Sequence, residues 1–413
     1  MKIGAFAMKY NLKPSAVRYY VDKALLTPKR ENGQYIFDKT CMEQMDNIIK
    51  YKKFRFSLEE IEVLSYYERA SNLRDKDVVR LIISNINDKI SQLDSEIAEL
   101  TDIRQQLFAE IDEYKTKYNS RETAENFSIP LEFLEILRCP ICQSTLPLTD
   151  AVIDGGGIKE GILRCACGYE ASISKGVLLC EGFQQDTPFK VFENINSVLA
   201  LTDDFSPSYR NLMEKAHLWM YQQIGLCKKD FKYIMAGPFA YNFLLKHLKD
   251  LPENSLYIIS DISVEKILKL REYFVGIDKK ILFIAGNISN IPVKNSSLDL
   301  YIDDFSNNNY IFTYNTGIFE AVSRFMKRKS NITGLFIDYT TAPNSLENFK
   351  KDHENFDPKE MSLKKIYSGF TSAGIKILEK NNLGSPHGHE KDFTRQSGEE
   401  KVQVISYFAE KTE

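Results

Sequence analysis

The sequence predicts a multidomain chain of the α + α/β class. Its parts are a winged helix-turn-helix, a long coiled-coil helix, a small cysteine-rich ribbon and a doubly wound, Rossmann-like sheet. Three observations support this. Residues 1–56 are basic, with 12 Lys and Arg against 5 Asp and Glu, in a chain of net charge −3. An apolar heptad then runs to residue 118. Beyond residue 230, short apolar strands alternate with helices, one of them predicted over Thr316–Lys327, as in a parallel sheet.

The basic segment begins with two predicted helices. Ile3–Tyr10 is apolar-periodic, Asn11–Lys13 forms a turn, and a second helix starts at Pro14, whose fixed φ suits a first helical turn. Two short helices joined by a tight turn make a helix-turn-helix, with the second helix as the recognition helix. On that helix three residues face a core and three face outward. The core-facing residues are Ala16, Val17 and Tyr20, and the outward ones are Ser15, Arg18 and Tyr19.

A hairpin is predicted directly after the second helix. Asn32-Gly33 lies between two strand-like arms, and this dipeptide is the strongest short-range signal for a hairpin turn. A helix-turn-helix followed by a hairpin is a winged helix. Its local positive excess is typical of a surface that binds phosphate, although an isolated charge run is more often only a solvated face.

These residues resemble the MerR family of regulators. Ala16–Tyr20, Ala24–Arg30, Asn32-Gly33 and Phe56–Ile61 stand in that family's order and spacing, over the first quarter of the chain. Two positions differ: Gln34-Tyr35 replaces the usual Tyr-Arg after the wing glycine, and Arg55 replaces a glycine. The resemblance implies promoter DNA as partner, with RNA polymerase affected indirectly. The residues predicted to contact DNA are Lys13, Ser15, Arg18, Tyr19, Arg30, Gln34 and Tyr35.

A heptad repeat predicts a long coiled-coil helix over residues 75–119, preceded by a capping box at Ser57 and Glu60. The a positions are Ile83, Ile90, Ile97, Arg104, Ile111 and Tyr118, and the d positions are Val79, Ile86, Leu93, Leu100, Leu107 and Tyr114. The apolar a and d side chains must be buried against another surface, and no second matching heptad exists in the chain. We therefore expect a homodimer through this helix rather than an intrachain helical hairpin; the resemblance implies antiparallel pairing.

Two cysteine pairs predict a metal site. Cys139-Pro-Ile-Cys142 and Cys165-Ala-Cys167 are separated by 22 residues and can supply four thiolates to a tetrahedral zinc ion. Cys180 is a conceivable substitute ligand. The segment resembles zinc ribbons that accompany some class I methyltransferases, including rRNA guanine methyltransferases. RNA or substrate recognition is then one role, but we favour a structural staple, because closed four-ligand zinc sites are structural. A redox dithiol is disfavoured by the presence of two pairs.

Four short motifs stand out in the chain from Phe231 onward. Asp261-Ile262-Ser263 follows the second predicted strand, and Gly286-Asn287, Ser297–Leu300 and Ala373–Ile375 come later. In order and position they resemble the acidic motif and the later motifs of class I S-adenosylmethionine-dependent methyltransferases. The resemblance implies S-adenosylmethionine as a cofactor. The candidate cofactor-binding residues are Gly237, Asp261 and Asn287.

The predicted cofactor loop departs from that family at three positions. Met235 stands where the loop needs an acid, and Phe239 and Tyr241 stand where it needs glycines, which let a backbone approach its ligand. We therefore predict a degenerate pocket, half retained and half filled. No catalytic residue is evident. Asp303-Asp304 lies at a substrate-side motif, or in a solvated acidic loop. His387-Gly388-His389 could bind metal, but such pairs are usually solvent-exposed.

The predicted domains are 1–74 for the winged helix, 75–119 for the dimerisation helix, 130–182 for the ribbon and 205–413 for the methyltransferase-like part. Seven cysteines, four of them in close pairs, no signal peptide and no long apolar run predict a cytoplasmic protein without a membrane partner. The leading hypothesis is a dimeric transcriptional regulator whose C-terminal domain senses a small-molecule effector or a partner. The alternatives are an active methyltransferase tethered to DNA, acting on a small molecule or RNA, and a scaffold with neither ligand nor chemistry.

Overall fold

The structure is a computed structural model that describes residues 1–71, 75–119, 127–181, 206–352, 355–386 and 397–412. The chain divides into two compact units, Met1–Ser120 and Arg121–Glu413. The finer boundaries expected from the sequence stay a prediction. The first unit contains the expected winged helix and long helix, and the second contains the ribbon and the Rossmann-like sheet.

The first unit is helical, with one small hairpin. Its helices are α1 (Ile3–Lys9), α2 (Pro14–Asp22), α3 (Lys39–Lys53), α4 (Leu58–Ser71) and α5 (Lys76–Asn119), and its strands are β1 (Lys29–Glu31) and β2 (Gln34–Ile36). The hairpin turn is Asn32-Gly33, and both residues have positive φ, at 48° and 76°. That conformation is what makes Asn-Gly favourable there.

Local sequence explains where the later helices of this unit begin. The Asp38 side chain accepts from the Cys41 amide at the start of α3. Before α4, the Glu60 amide donates to the Ser57 hydroxyl while the Ser57 amide donates to the Glu60 carboxylate, so the predicted capping box is confirmed. The core of the unit holds fourteen buried side chains, including Phe6, Val17 and Tyr20. The inward face of α2 is therefore the one expected from its sequence.

The second unit contains twelve strands and seven helices within the described residues. The strands are β3 (Ile129–Pro130), β4 (Leu148–Asp154), β5 (Gly157–Arg164), β6 (Glu170–Ser174), β7 (Val177–Cys180), β8 (Tyr233–Ala236), β9 (Leu256–Asp261), β10 (Lys280–Ala285), β11 (Leu298–Asp304), β12 (Met326–Asp338), β13 (Ile375–Gly384) and β14 (Gln403–Lys411). The helices are α6 (Pro207–Leu226), α7 (Tyr241–His247), α8 (Val264–Tyr273), α9 (Ser306–Tyr314), α10 (Phe319–Val322), α11 (Pro343–Asp352) and α12 (Leu363–Ser372).

The last seven strands form a doubly wound sheet. Numbered along the chain from β8, their order across the sheet is 3-2-1-4-5-7-6. The first five run parallel, and the last strand, β14, is antiparallel to both of its neighbours. The order reverses between β8 and β11, and a crevice at the carboxyl ends of the strands at such a switch point is where doubly wound sheets bind ligands. This is the expected class I methyltransferase-like topology.

The cysteine-rich ribbon continues the same sheet. β7 pairs in parallel with β10, aligning Leu179 with Ala285, and β6, β5 and β3 follow outward. Cys180 ends β7 with its side chain against Gly286. A Cβ added to Gly286 would lie 2.7 Å from the Cβ of Cys180, so only glycine fits there. The ribbon therefore supports the segment that follows β10.

The sequence-based elements after residue 300 needed correction. A single helix was expected over Thr316–Lys327, but the structure has only the four-residue α10 and a short 3-10 turn before β12 starts at Met326. Helices α9 and α11 were not expected. α9 carries a run of three asparagines, which are poor helix formers, yet all three are buried. The Asn308 side chain donates to the Ile337 carbonyl of β12, and Asn307 accepts from the Ile318 amide, whereas Asn309 donates to the Phe305 carbonyl one turn earlier. Within the described residues, no helix is both long and apolar enough to span a membrane.

Candidate functional site

The winged helix presents the predicted DNA-contacting residues on its surface. Lys13, Ser15 and Arg18 are exposed on or before α2, and 47% of Tyr19 is exposed. Val17 and Tyr20, on the opposite face, are buried. A helix with this arrangement can reach base edges and phosphates with Arg18 and Tyr19 while its apolar face stays in the core.

The wing adds three further predicted residues. Arg30 and Gln34 are exposed and Tyr35 is half-buried. The Arg30 guanidinium lies 5.1 Å from the centre of the Tyr35 ring, a distance at which a cation–π contact orients both groups. At the other departure from the MerR pattern, Arg55 has a φ of 61°, so an arginine retains the left-handed backbone that glycine would adopt. Its guanidinium pairs with Glu96 at 3.0 Å.

Helix α5 exposes a long apolar seam. It spans 44 residues, about 66 Å at 1.5 Å per residue. Among the described side chains, the apolar ones at a and d positions that remain exposed are Ile83, Ile90, Ile97, Leu100, Leu107, Ile111 and Tyr114, each by 47% or more. Ile86, nearer the start of the helix, packs against the core of the same unit. The seam beyond it remains open to another surface.

The four predicted zinc ligands lie together. The sulfur atoms of Cys139, Cys142, Cys165 and Cys167 are all within 4.8 Å of one another. The Sγ atoms of Cys139 and Cys167 are 3.4 Å apart, and so are those of Cys142 and Cys165. In a tetrahedral site with Zn–S bonds of ~2.3 Å, sulfur atoms would stand about 3.8 Å apart, so this cluster could hold zinc. Cys180 lies outside the cluster, buried at the end of β7.

The local environment favours a thiolate at Cys142, although burial raises the pKa of the neighbouring Cys139 thiol. Hydrogen bonding by Ser144, through its side chain and backbone, lowers the pKa of the Cys142 thiol to about 6. A thiolate is the form that binds metal. The knuckle containing Cys139 and Cys142 is tied to the loop after β10: the Asn295 amide donates to Gln143 Oε1 at 2.9 Å, and the Arg138 amide donates to the Pro292 carbonyl at 3.0 Å.

The three predicted cofactor residues lie in the crevice at the carboxyl ends of β8, β9 and β10. Asp261, at the end of β9, is 1% exposed. Its Oδ2 accepts a hydrogen bond from the Tyr241 hydroxyl and lies 2.9 Å from the Lys266 ammonium. Its Oδ1 accepts from the Ser263 amide at 3.0 Å. Both carboxylate oxygens are therefore engaged by groups of the chain itself.

The first loop of the crevice is filled by side chains. Phe239 is buried and has a φ of 78°, so its backbone keeps a left-handed shape that suits glycine while its ring occupies the interior. Gly237 serves packing, since an added Cβ there would lie 2.3 Å from the Tyr301 hydroxyl and 2.7 Å from Ser306 Oγ. Lys266 places its ammonium 4.2 Å from the centre of the Phe239 ring.

The remaining opening is small. Asn287, Ser260, Tyr310 and Tyr314 are among the residues that line a cavity of about 20 Å³, whereas small-molecule sites usually measure ~300–1,000 Å³. Asn287 uses its side-chain oxygen to accept from the Ser289 amide. S-adenosylmethionine does not fit the crevice in this structure, because the space and the acceptor groups it would need are taken.

Sequence reasoning missed Lys266, which lies in the first turn of α8. The only sequence signal was its position five residues after Asp261. The sequence also allowed Asp303-Asp304 to be a solvated acidic loop. That alternative is wrong, because the two residues are 0% and 2% exposed. Asp303 accepts from the Tyr407 hydroxyl at 2.6 Å, and Asp304 pairs with His217 Nε2 at 2.9 Å. Burial raises the pKa of Asp303 to about 7. His387 and His389 lie outside the described residues.

Comparison with known proteins identifies the family of the N-terminal region. The family model of MerR HTH regulatory proteins matches residues 1–68. The HTH-type transcriptional regulator HmrR of Rhizobium leguminosarum bv. viciae is 30% identical over 110 residues, covering 26% of this chain and 81% of that protein. The regulator CueR of Salmonella typhimurium is 27% identical over 111 residues, with 26% and 78% coverage. The chain belongs to the MerR family of helix-turn-helix regulators and is a DNA-binding transcriptional regulator.

Solved methyltransferases are similar to the C-terminal unit, at low scores. A putative sarcosine dimethylglycine methyltransferase from Galdieria sulphuraria gives a TM-score of 0.39 at 13% identity, covering 53% of this chain and 97% of that one. A complex of the Haloferax volcanii Trm112 methyltransferase activator with a putative methyltransferase gives 0.34 at 14% identity, with 49% and 92% coverage. The strand order described above defines the fold independently of these likenesses.

Proposed function

We propose that this regulator binds a pseudo-palindromic promoter as a homodimer and that its C-terminal domain is a sensor for a ligand or partner, without methyltransferase activity. The observation that carries the first part is the exposed set on α2 and the wing. Lys13, Ser15, Arg18 and Tyr19 form one outward face, and Arg30 and Gln34 extend it. Phosphate contacts would set the position of the winged helix, and Arg18 would read a base edge in the major groove.

The dimer is supported by the uncovered seam of α5. Seven exposed side chains at a and d positions repeat along most of the helix. Single exposed apolar residues are ordinary, but a continuous apolar stripe marks an interaction site. A second copy of α5 supplies a stripe of the same length and chemistry, and two winged helices held by it match the two half-sites of a pseudo-palindrome.

Regulation would act on the shape of the promoter. The family resemblance suggests that the dimer distorts an over-long spacer so that the elements contacted by RNA polymerase realign. Bending or untwisting DNA costs on the order of 1–6 kcal/mol, which protein contacts must offset. An effector acting through the C-terminal domain would change this balance only if it bound one arrangement of the dimer better than the other.

The filled crevice supports a non-catalytic C-terminal domain. Methyl transfer depends on holding the donor in line with its acceptor, and such orientation is a major part of the rate. Phe239, Tyr241 and Lys266 occupy the place where a donor would be held. Zinc bound at the four cysteines would act as a staple for the ribbon, and through the Gln143–Asn295 contact it would also support the loop beside the crevice.

Two experiments test the proposal. Selection of binding sites from random DNA by the purified full-length protein should enrich a pseudo-palindrome, and sequence-independent binding alone would contradict the regulatory part. Incubation with labelled S-adenosylmethionine and cell extract should give no transfer above background. Robust S-adenosylhomocysteine production that is lost in Asp261→Ala would replace the sensor by a working methyltransferase.

A further inference from the structure

The most unusual feature of the crevice is a buried ion pair at the position of a ligand. The Asp261 carboxylate and the Lys266 ammonium lie 2.9 Å apart, with side chains 1% and 5% exposed. Burying an ion pair costs several kcal/mol per charge in desolvation, so a pair of this kind needs close geometry and further hydrogen bonds. Tyr241 and Ser263 supply those bonds to the two oxygens of Asp261.

The groups around Asp261 match the chemistry of a bound nucleoside. In dinucleotide-binding folds an acid at the end of the second strand accepts hydrogen bonds from ribose hydroxyls. Here the Tyr241 hydroxyl donates to that acid instead. Burial and the adjacent carboxylate raise the pKa of the Tyr241 hydroxyl well above its ordinary value, so it keeps the proton it donates. One hydroxyl of the chain thus takes the place of a hydroxyl of a ligand.

The aromatic rings complete the enclosure. The Lys266 ammonium lies 4.2 Å from the centre of the Phe239 ring and 5.2 Å from that of Tyr241. Cation–π contacts of this kind are strongest when the cation is desolvated, as it is here. Phe239 holds this place despite a φ of 78°, a left-handed conformation that is unfavourable for a non-glycine residue. The loop has kept the backbone of an open site and placed a side chain inside it.

We propose that Tyr241, Lys266 and Phe239 form a built-in plug, which holds Asp261 as a bound nucleoside would and keeps a nucleoside-type site closed. This inference rests on the proposed non-catalytic role of the C-terminal domain and explains it at atomic level. The cavity of about 20 Å³ beside Asn287 and Tyr310 is the part of the site that the plug leaves open. Adenosine, which contains both the ribose diol and a flat base, is the simplest probe of the class.

The test compares the full-length wild-type protein with an opened variant, Phe239→Gly/Tyr241→Gly/Lys266→Ala, by calorimetric titration with adenosine. Wild type should show no binding at about 1 mM adenosine. The opened variant should bind adenosine with a Kd of about 0.1 mM or lower, at least tenfold below that concentration. Tyr241→Phe is the matched control: it removes the donating hydroxyl but keeps the ring, so the site should stay closed. A folded opened variant that does not bind adenosine would overturn the plug.

A second measurement covers an opened variant that fails to fold. Lys266→Met leaves a buried, uncompensated carboxylate and should lower the urea midpoint of the C-terminal transition. The double variant Lys266→Met/Asp261→Asn should recover at least half of that shift, because the two residues act as a pair. Strictly additive losses would contradict the plug. Adenosine binding by wild type without methyl transfer would also overturn it, yet would leave the proposed function standing.

Discussion

The two units of this chain differ in the exposure of their motif residues. In the N-terminal unit, Arg18 and Tyr19 of the recognition helix point to solvent and are available to a partner. In the C-terminal unit, Asp261 stands at the expected motif position but is buried and paired with Lys266. A residue at a motif position is therefore only a candidate, and its exposure and partners decide whether it can act on anything outside the chain.

Two non-glycine residues at glycine positions show the same contrast. Arg55 and Phe239 both keep positive φ, at 61° and 78°. Arg55 extends from the surface and pairs with Glu96. Phe239 turns inward and fills the crevice. The backbone shape survives in both places, but only the inward substitution removes a site.

The largest effect we expect is on the dimer. Ile97→Asp would place an unpaired carboxylate in the α5 seam of both copies, and burying such a charge is strongly unfavourable. Dimer affinity measured by sedimentation should fall by about 1,000-fold or more. Gln105→Asp, a polar position of the same helix away from a and d, is the control and should leave it unchanged. If the wild-type protein is a monomer, the α5 seam is not buried by a second copy and the proposed dimer is wrong.

The metal site should respond nearly as strongly. The protein should contain one zinc per chain, and Cys139→Ser or Cys165→Ser should weaken zinc binding by ~100-fold or more, since each removes one of four ligands. Elemental analysis of purified protein measures this. Cys180→Ser is the control, because Cys180 lies outside the cluster. Retention of zinc in Cys167→Ser together with its loss in Cys180→Ser would show that the ligand set is wrong.

The DNA-contacting face gives the next prediction. Arg18→Ala and Tyr19→Ala should each reduce specific promoter binding by ~10- to 100-fold, the range of one good base contact, and together should abolish it. Gel shifts measure the affinity, and sedimentation should show an intact dimer. Arg80→Ala removes an exposed arginine from α5 and is the matched control. Unchanged affinity in both α2 variants would refute the recognition-helix assignment.

The smallest expected effect is a pH dependence in the C-terminal unit. Burial raises the pKa of Asp303 to about 7 from an ordinary value of 3.8, so the folded state binds its proton more tightly than the unfolded state. Its stabilising contribution is present below pH ~4 and is lost as pH rises through about 7. Asp303→Asn removes this titration, so its free energy of unfolding in urea should rise relative to that of wild type between pH 5 and 8, by about 2–3 kcal/mol. A constant difference across that range would contradict the buried titration.

Much of the fold was predictable because its signals are local. The Asn32-Gly33 turn, the Ser57–Glu60 capping box and the heptad of α5 each depend on residues close together in sequence. The spacing of the cysteines likewise predicted a cluster whose sulfur atoms do meet. Helix α9 could not be predicted, because Asn308 bonds the Ile337 carbonyl of β12 and Asn307 accepts from the Ile318 amide, and helix propensity does not register such contacts.

The sequence by itself determined the family, the recognition helix, the seam and the methyltransferase-like order of strands, because periodicity or short motifs predict each of them. Only the tertiary structure decided the state of the crevice. Lys266 and Tyr241 lie on different helices and meet at Asp261 because β8 and β9 are adjacent in the sheet. A ligand site and a plug can share the same acid, and the difference lies in which side chains the fold brings to it.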